Sequence, residues 1–166
     1  MPSVLSPYPA KLLAGRALPL MEACALSAGA GMLLDVGPVP VPSGGRVPVR
    51  RAEEISAPEV DRNETLAVSC FGLSMLSEEA RNALFPRLVR LAAHTLFIDF
   101  KTPERNIEWP GALLFSPVRS LISHSGDPHA GGMEGMIYDA QSFFSIVSRH
   151  TLCGGAICGI LVRNKD

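Results

Sequence analysis

Two aspartates stand near the ends of short apolar runs: Asp35 follows Met32-Leu33-Leu34, and Asp99 lies within Thr95-Leu96-Phe97-Ile98-Asp99-Phe100. Open α/β sheets bind ligands at the carboxyl ends of their strands, so a carboxylate there can accept hydrogen bonds from a ligand. Asp35 has two readings on this ground, a ligand-binding carboxylate, or a structural one that caps a helix or anchors a loop. Asp99 with Lys101, Glu104 and Arg105 also has two: the mouth of a substrate site, or a solvated loop whose opposite charges satisfy one another. Cys70 closes the run Leu66 to Phe71 and has the chemistry of a nucleophile. Nothing adjacent to it in sequence would lower its pKa, so a buried thiol is the plainer reading. His124 and His129 flank Ser125-Gly126-Asp127-Pro128 and suit a general base near neutral pH. No nucleophile stands at a fixed spacing from them, and loop histidines satisfy the same pattern. Cys24, Cys70, Cys153 and Cys158 show no zinc-ligand spacing with each other or with the histidines, so no metal is expected.

Short strands and their connections must position these residues. Lys11 to Ala28 has a roughly helical apolar period at Leu12, Leu13, Leu20, Met21 and Ala25, which Gly15 and Pro19 interrupt, so a broken amphipathic helix is expected. Met32 to Gly37 reads as a short buried strand. Pro38, Pro40 and Pro42 then alternate with valines and force an extended run, Ser43-Gly44-Gly45 turns it, and Arg46 to Arg50 is extended again. No helix fits between Gly37 and Arg46. That span falls short of the roughly dozen residues that a parallel crossover needs, so the two extended segments are expected to be antiparallel or not neighbours.

Leu66 to Phe71 and Thr95 to Phe100 are short, apolar and suited to central strands buried on both faces. Between them Ser77 caps a helix with Glu78 and Glu79 in its first turn, Leu84, Phe85, Leu88, Leu91 and Ala92 on its apolar face, and a kink expected at Pro86. Helices are also expected over Pro110 to Ser123, with Pro117 as a break, and over Met133 to Asp139. Phe143 to Leu152 and Ala156 to Arg163 read as a hairpin turned by Gly154-Gly155. The order is that of an α/β domain, one unit over 1–166, with an N-terminal helical segment over 1–30 and a Pro/Gly-rich connection over 38–46.

Composition narrows the classes. Of 166 residues 47% are hydrophobic and 19% charged, enough apolar material for one core and too much for a disordered chain. Fifteen basic against sixteen acidic side chains leave a net charge of −1, which supplies no field for nucleic acid or an anionic membrane. Apolar runs break before the length of a membrane span, as at Glu22, and the start lacks the pattern of a signal peptide, so a cytoplasmic protein is expected.

Several segments resemble the class I S-adenosylmethionine-dependent methyltransferases. Leu33-Leu34-Asp35-Val36-Gly37 is similar to the start of that family's first motif, and Arg51-Ala52-Glu53-Glu54-Ile55 to the segment before its fourth strand. Leu66 to Leu76 resembles the fourth strand and its turn, and Phe97 to Asn106 the fifth strand with its polar loop. Gly131 to Met136 with the terminal hairpin resembles the family's C-terminal end. The likeness spans about Glu53 to Arg163. It implies a truncated Rossmann-like methyltransferase fold with mostly parallel central strands and a C-terminal antiparallel β-hairpin.

For the site, the resemblance implies cofactor contacts from Asp35, Gly37, Ser69 and Cys70 and a substrate side at Asp99, Lys101, Glu104 and Arg105. The departures fall at the cofactor. Pro38, Pro40 and Pro42 stand where the family has a glycine-rich loop, and proline adds a ring and removes an N–H. The second strand and its flanking helices look deleted, and Arg51 replaces the family's acidic residue near the adenine. Losing two charge-assisted bonds to ribose, at about 1.5–3 kcal/mol each, predicts weak or no binding of S-adenosylmethionine. The expectation is a non-catalytic interaction or assembly module that works as a homodimer or with a heteromeric protein partner. A missing helix layer would leave sheet face for that partner to cover. The alternatives are an active methyltransferase on a small molecule, with S-adenosylmethionine as cofactor, and a small-ligand binder.

Overall fold

In the computed structural model the two apolar runs centred on Val68 and Phe97 become β3 (Thr65–Cys70) and β4 (His94–Phe100), with every residue of 65–70 and 95–100 buried. The structure describes residues 8–55, 60–101, 110, 111, 113, 114, 116, 117 and 132–165. Around this pair the chain adds β1 (Met32–Asp35), β2 (Val49–Arg51), β5 (Phe144–Leu152) and β6 (Ile157–Asn164), making one six-stranded sheet in the order β2-β1-β3-β4-β6-β5. β1 is parallel to β2 and β3, and β3 to β4. β6 is antiparallel to both β4 and β5. Among the described strands β6 is thus the one reversed, and the fold is α/β with a mixed sheet that is parallel over its first four strands.

The parallel pairing of β1 with β2 overturns the expectation that the two extended segments are antiparallel or unpaired. The connection runs from Val36 to Pro48, thirteen residues rather than the shorter span from Gly37 to Arg46, and contains no helix. The strands are four and three residues long, so at about 3.3 Å per residue the chain has only about 10–13 Å to climb back. An extended Pro-Val segment does this without a helical crossover. Its far end is held by the Glu22 carboxylate, which accepts the Arg46 N–H.

The helix expected to break at Gly15 and Pro19 is continuous: α1 spans Tyr8–Ala28 with Pro19 inside it. Its buried stripe, Ala10, Leu13, Ala14, Ala17, Met21, Cys24 and Ala25, recurs at three- and four-residue steps without a gap. Tertiary burial of that stripe outweighs the two weak positions. The stripe packs on Leu33, Leu66, Val68, Leu96, Ile98 and Leu161. At Gly159 a methyl group would lie 2.4 Å from Leu20 Cδ2, so this glycine lets the helix sit close to β6. α1 therefore covers the sheet face that a missing helix layer would have left for a partner.

The opposite face is covered by α2 (Gly72–Met75), α3 (Glu78–Leu91) and α4 (Gly132–Asp139), which bury Leu73, Leu84, Phe85, Leu88, Met133 and Ile137 against Ala67, Phe97, Ile160 and Val162. Ser77 caps α3 as expected, its hydroxyl accepting the Ala80 N–H. At the other end of α3, the buried Asn164 amide donates to Leu88 O and Ala92 O at 3.1 and 2.9 Å. The hairpin turn is wider than the expected two residues. Leu152 pairs with Ile157, and Cys153, Gly154 and Gly155 between them all have positive φ. The described positions between 110 and 117 are helical, and they include Pro117, where a break is expected from the sequence.

Candidate functional site

The chain leaves β1 for β2 on one side and later returns to β3 on the other, so the strand order reverses between β1 and β3. At the carboxyl ends of this pair lies the switch-point crevice where open α/β sheets take ligands. Asp35, Gly37, Ser69 and Cys70 all meet there.

The crevice holds the chain's own loop. Asp35, 6% exposed, accepts the Gly37 N–H on Oδ1 at 3.2 Å and the Val41 N–H on Oδ2 at 3.1 Å. The half-exposed Arg51 places Nε 3.9 Å from Oδ2. Burial pushes the Asp35 carboxyl above its ordinary range, against the pull of the Val41 and Gly37 N–H groups and Arg51. Asp35 thus serves as the anchor of the loop that follows it. Gly37 lies on the end of β3: a methyl there would come 2.6 Å from Cys70 N and 3.0 Å from Cys70 O. Pro38 then approaches Gly72, and Val39 and Val41 insert into the core beside α1.

Ser69 and Cys70 close the crevice from the β3 side. The Ser69 hydroxyl is buried, has no hydrogen-bond partner among the described residues, and lies where a methyl on Gly72 would come within 2.3 Å. Phe71, in the left-handed region at φ 56°, turns the chain sharply from β3 into α2. Burial raises the Cys70 thiol far above its usual pKa, and the carboxylates of Asp35 and Asp99 add to the rise. A thiol in that setting stays protonated and is no nucleophile. The cavity left beside Asp35 and Gly37, with Arg51, Glu53 and Arg87 at its walls, has about 40 Å³. A water molecule needs roughly 10–15 Å³ of such space. Ligand clefts are typically about 300–1,000 Å³.

Asp99 does not line a mouth. It is 1% exposed, on the sheet face opposite α1, and its carboxylate holds α2. Ser74 N–H donates to Oδ2 at 2.9 Å, the Ser74 hydroxyl donates to Oδ1, and Phe100 N–H donates to Oδ1 at 2.8 Å. Burial raises its pKa to about 6 despite these bonds. Lys101 lies just past the strand, its N–H bonded to Ala156 O at 3.0 Å. Glu104 and Arg105 lie outside the described residues, as do His124 and His129.

Among the described residues no three of His, Cys, Asp and Glu gather as a metal-binding group, and no helix is long and apolar enough to cross a membrane. Two residues absent from the sequence reading matter here. Ser74 completes the Asp99 cluster, and it is separated from Asp99 by 25 positions, so no local signal marks it. Arg81 is 8% exposed and bonded to the carbonyls of Leu73 in α2 and Leu76 just after it. Its position did carry a signal, since it continues the apolar stripe of Leu84, Phe85, Leu88 and Leu91 toward the start of α3. Compared with known proteins, the chain matches no family model and no curated protein.

Proposed function

We propose that this chain is a non-catalytic, methyltransferase-like domain that works by contact with another protein subunit, either a second copy or a heteromeric partner. The sheet order supports the resemblance, because four parallel strands followed by a hairpin whose last strand is reversed match what the resembling segments imply. The observation that carries the non-catalytic reading is the occupied switch point. Gly37 lies against the Cys70 backbone, Val39 and Val41 are buried, and Asp35 holds their loop through two N–H bonds. S-adenosylmethionine and this loop would compete for the same strand ends. Contact with a partner is supported by β5, a nine-residue strand with no strand beyond it among the described residues, and by the exposed Leu12, Leu26 and Val147.

Calorimetric titration with S-adenosylmethionine tests the first part: no saturable heat is expected in the micromolar range, and micromolar binding would overturn it. Light scattering across a concentration series, with mass spectrometry of copurifying proteins, tests the second. A chain that stays monomeric and brings no partner would overturn the contact role.

A further inference from the structure

Away from the strand ends, α3 and the end of α4 enclose a half-open groove of about 320 Å³, eight times the cavity beside Asp35 and within the size of small-molecule clefts. Its floor carries a buried cation. Arg81 is 8% exposed, and its Nη1 donates to Leu73 O at 2.9 Å and Leu76 O at 3.0 Å, which fixes the guanidinium plane. Among the described residues no carboxylate lies within ion-pair distance of it, and its Nε and Nη2 donors are neither bonded nor sealed from solvent. Two neutral carbonyls hold Nη1 on the inner side and leave the Nε/Nη2 edge to the groove, where water or a ligand can meet it. The open Nε/Nη2 edge is the geometry that grips a carboxylate with two parallel bonds.

The walls are apolar: Phe85 and Phe143, with ring centroids 6.2 Å apart, and Met136 line the same groove. At its exposed rim stands the Glu78 carboxylate. A simple anion would meet the favourable floor but the unfavourable rim. A molecule with one carboxylate, one ammonium group and a hydrocarbon body satisfies the floor, the rim and the walls together.

We infer that the groove between α3 and α4 binds a small zwitterion with an apolar side chain, of the class of the aromatic and branched amino acids. Arg81 takes its carboxylate, Phe85, Phe143 and Met136 take its side chain, and Glu78 faces its ammonium group. This site is independent of the strand-end crevice, so its test and the S-adenosylmethionine titration succeed or fail separately.

The test is titration of the full chain with L-phenylalanine as probe, followed by NMR shifts or calorimetry, beside 3-phenylpropionate and phenethylamine, which lack the ammonium and the carboxylate. Saturable binding of L-phenylalanine at millimolar concentration or below is expected, with phenethylamine at least about tenfold weaker, the size of a charge-assisted bond, and 3-phenylpropionate about two- to fivefold weaker, the size of an exposed ion pair. Glu78→Gln is expected to weaken L-phenylalanine about two- to fivefold, as an exposed ion pair does, and to leave 3-phenylpropionate no weaker. Asn82→Trp places a ring across the rim without touching the Arg81 bonds and is expected to abolish binding with the thermal midpoint unchanged. Absence of saturable L-phenylalanine binding, or equal binding of 3-phenylpropionate, would overturn the inference. So would binding that Asn82→Trp leaves intact.

Discussion

Asp35 and Asp99 are the same residue type at the same end of two strands in one sheet, yet they hold different things. Asp35 faces the α1 side and binds backbone only two and six residues ahead, with a small cavity and the half-exposed Arg51 beside it. Asp99 faces the other side, is sealed from water, and binds Ser74 from an element 25 residues earlier. The first carboxylate shapes a loop, while the second ties β4 to the turn that follows β3. A strand-end aspartate is therefore structural glue at both places, and the difference lies in how far along the chain its bonds reach.

Removing Asp99 should have the largest effect. Asp99→Ala strands the Ser74 N–H, the Ser74 hydroxyl and the Phe100 N–H, and buried donors without partners cost about 1–3 kcal/mol each. Urea unfolding should show a loss of about 3–5 kcal/mol and a cooperative, global transition. A loss below about 1 kcal/mol would mean that the α2 clamp is not needed.

The same carboxyl sets a pH dependence of opposite sign to the usual one. Its folded pKa, about 6, lies above the ordinary value near 4 of an unfolded aspartate. Between these values the folded chain keeps a proton that the unfolded chain has released. Stability from this group is thus full below about pH 4, falls as pH rises to about 6, and is level above. His94, lowered by burial and Arg163, acts the other way as pH falls through the imidazole range. Measuring wild type against Asp99→Asn cancels His94. The wild type should gain on the variant as pH drops from 7 to 4, and parallel curves would contradict the assignment.

Gly37→Ala comes next on the β1 side. Its methyl would meet the backbone of Cys70 at 2.6 and 3.0 Å, and backbone does not move aside as a side-chain tip does. The loop would have to lift, exposing Val39 and Val41, with a loss of about 2–3 kcal/mol in the same unfolding assay.

How much of this is legible in the sequence follows the same division between near and far. β3, β4 and the capped α3 are readable because unbroken apolar runs and a Ser77 cap with Glu78 and Glu79 are local signals. Asp35 as a loop anchor is readable too, since its partners Gly37 and Val41 are close in sequence. The Asp99–Ser74 clamp is not, because its two halves are joined only by the pairing of β3 with β4. The parallel β1–β2 pairing is missed for another reason. The expected strand ends leave only the span from Gly37 to Arg46, whereas the strands end at Asp35 and start again at Val49, so the thirteen residues between them meet the roughly dozen that a parallel crossover needs. α1 runs through Gly15 and Pro19 because the buried stripe outweighs local propensity, which only the tertiary contacts reveal.

Asp35→Asn gives the smallest effect and the sharpest form of the comparison. An amide keeps one accepting oxygen, so it can serve Gly37 or Val41, while its NH2 would face the other N–H donor to donor. Against that loss, the uncharged amide is easier to bury than the carboxylate, whose pKa burial raises. The balance should be about 1 kcal/mol at neutral pH. The change should also stay local: the Val41 or Gly37 amide should exchange hydrogen faster while those of Val68 and Leu96 keep their protection. Equal acceleration in β3 and β4 would mean that the loop is part of the cooperative core, and that Asp35 and Asp99 do the same work.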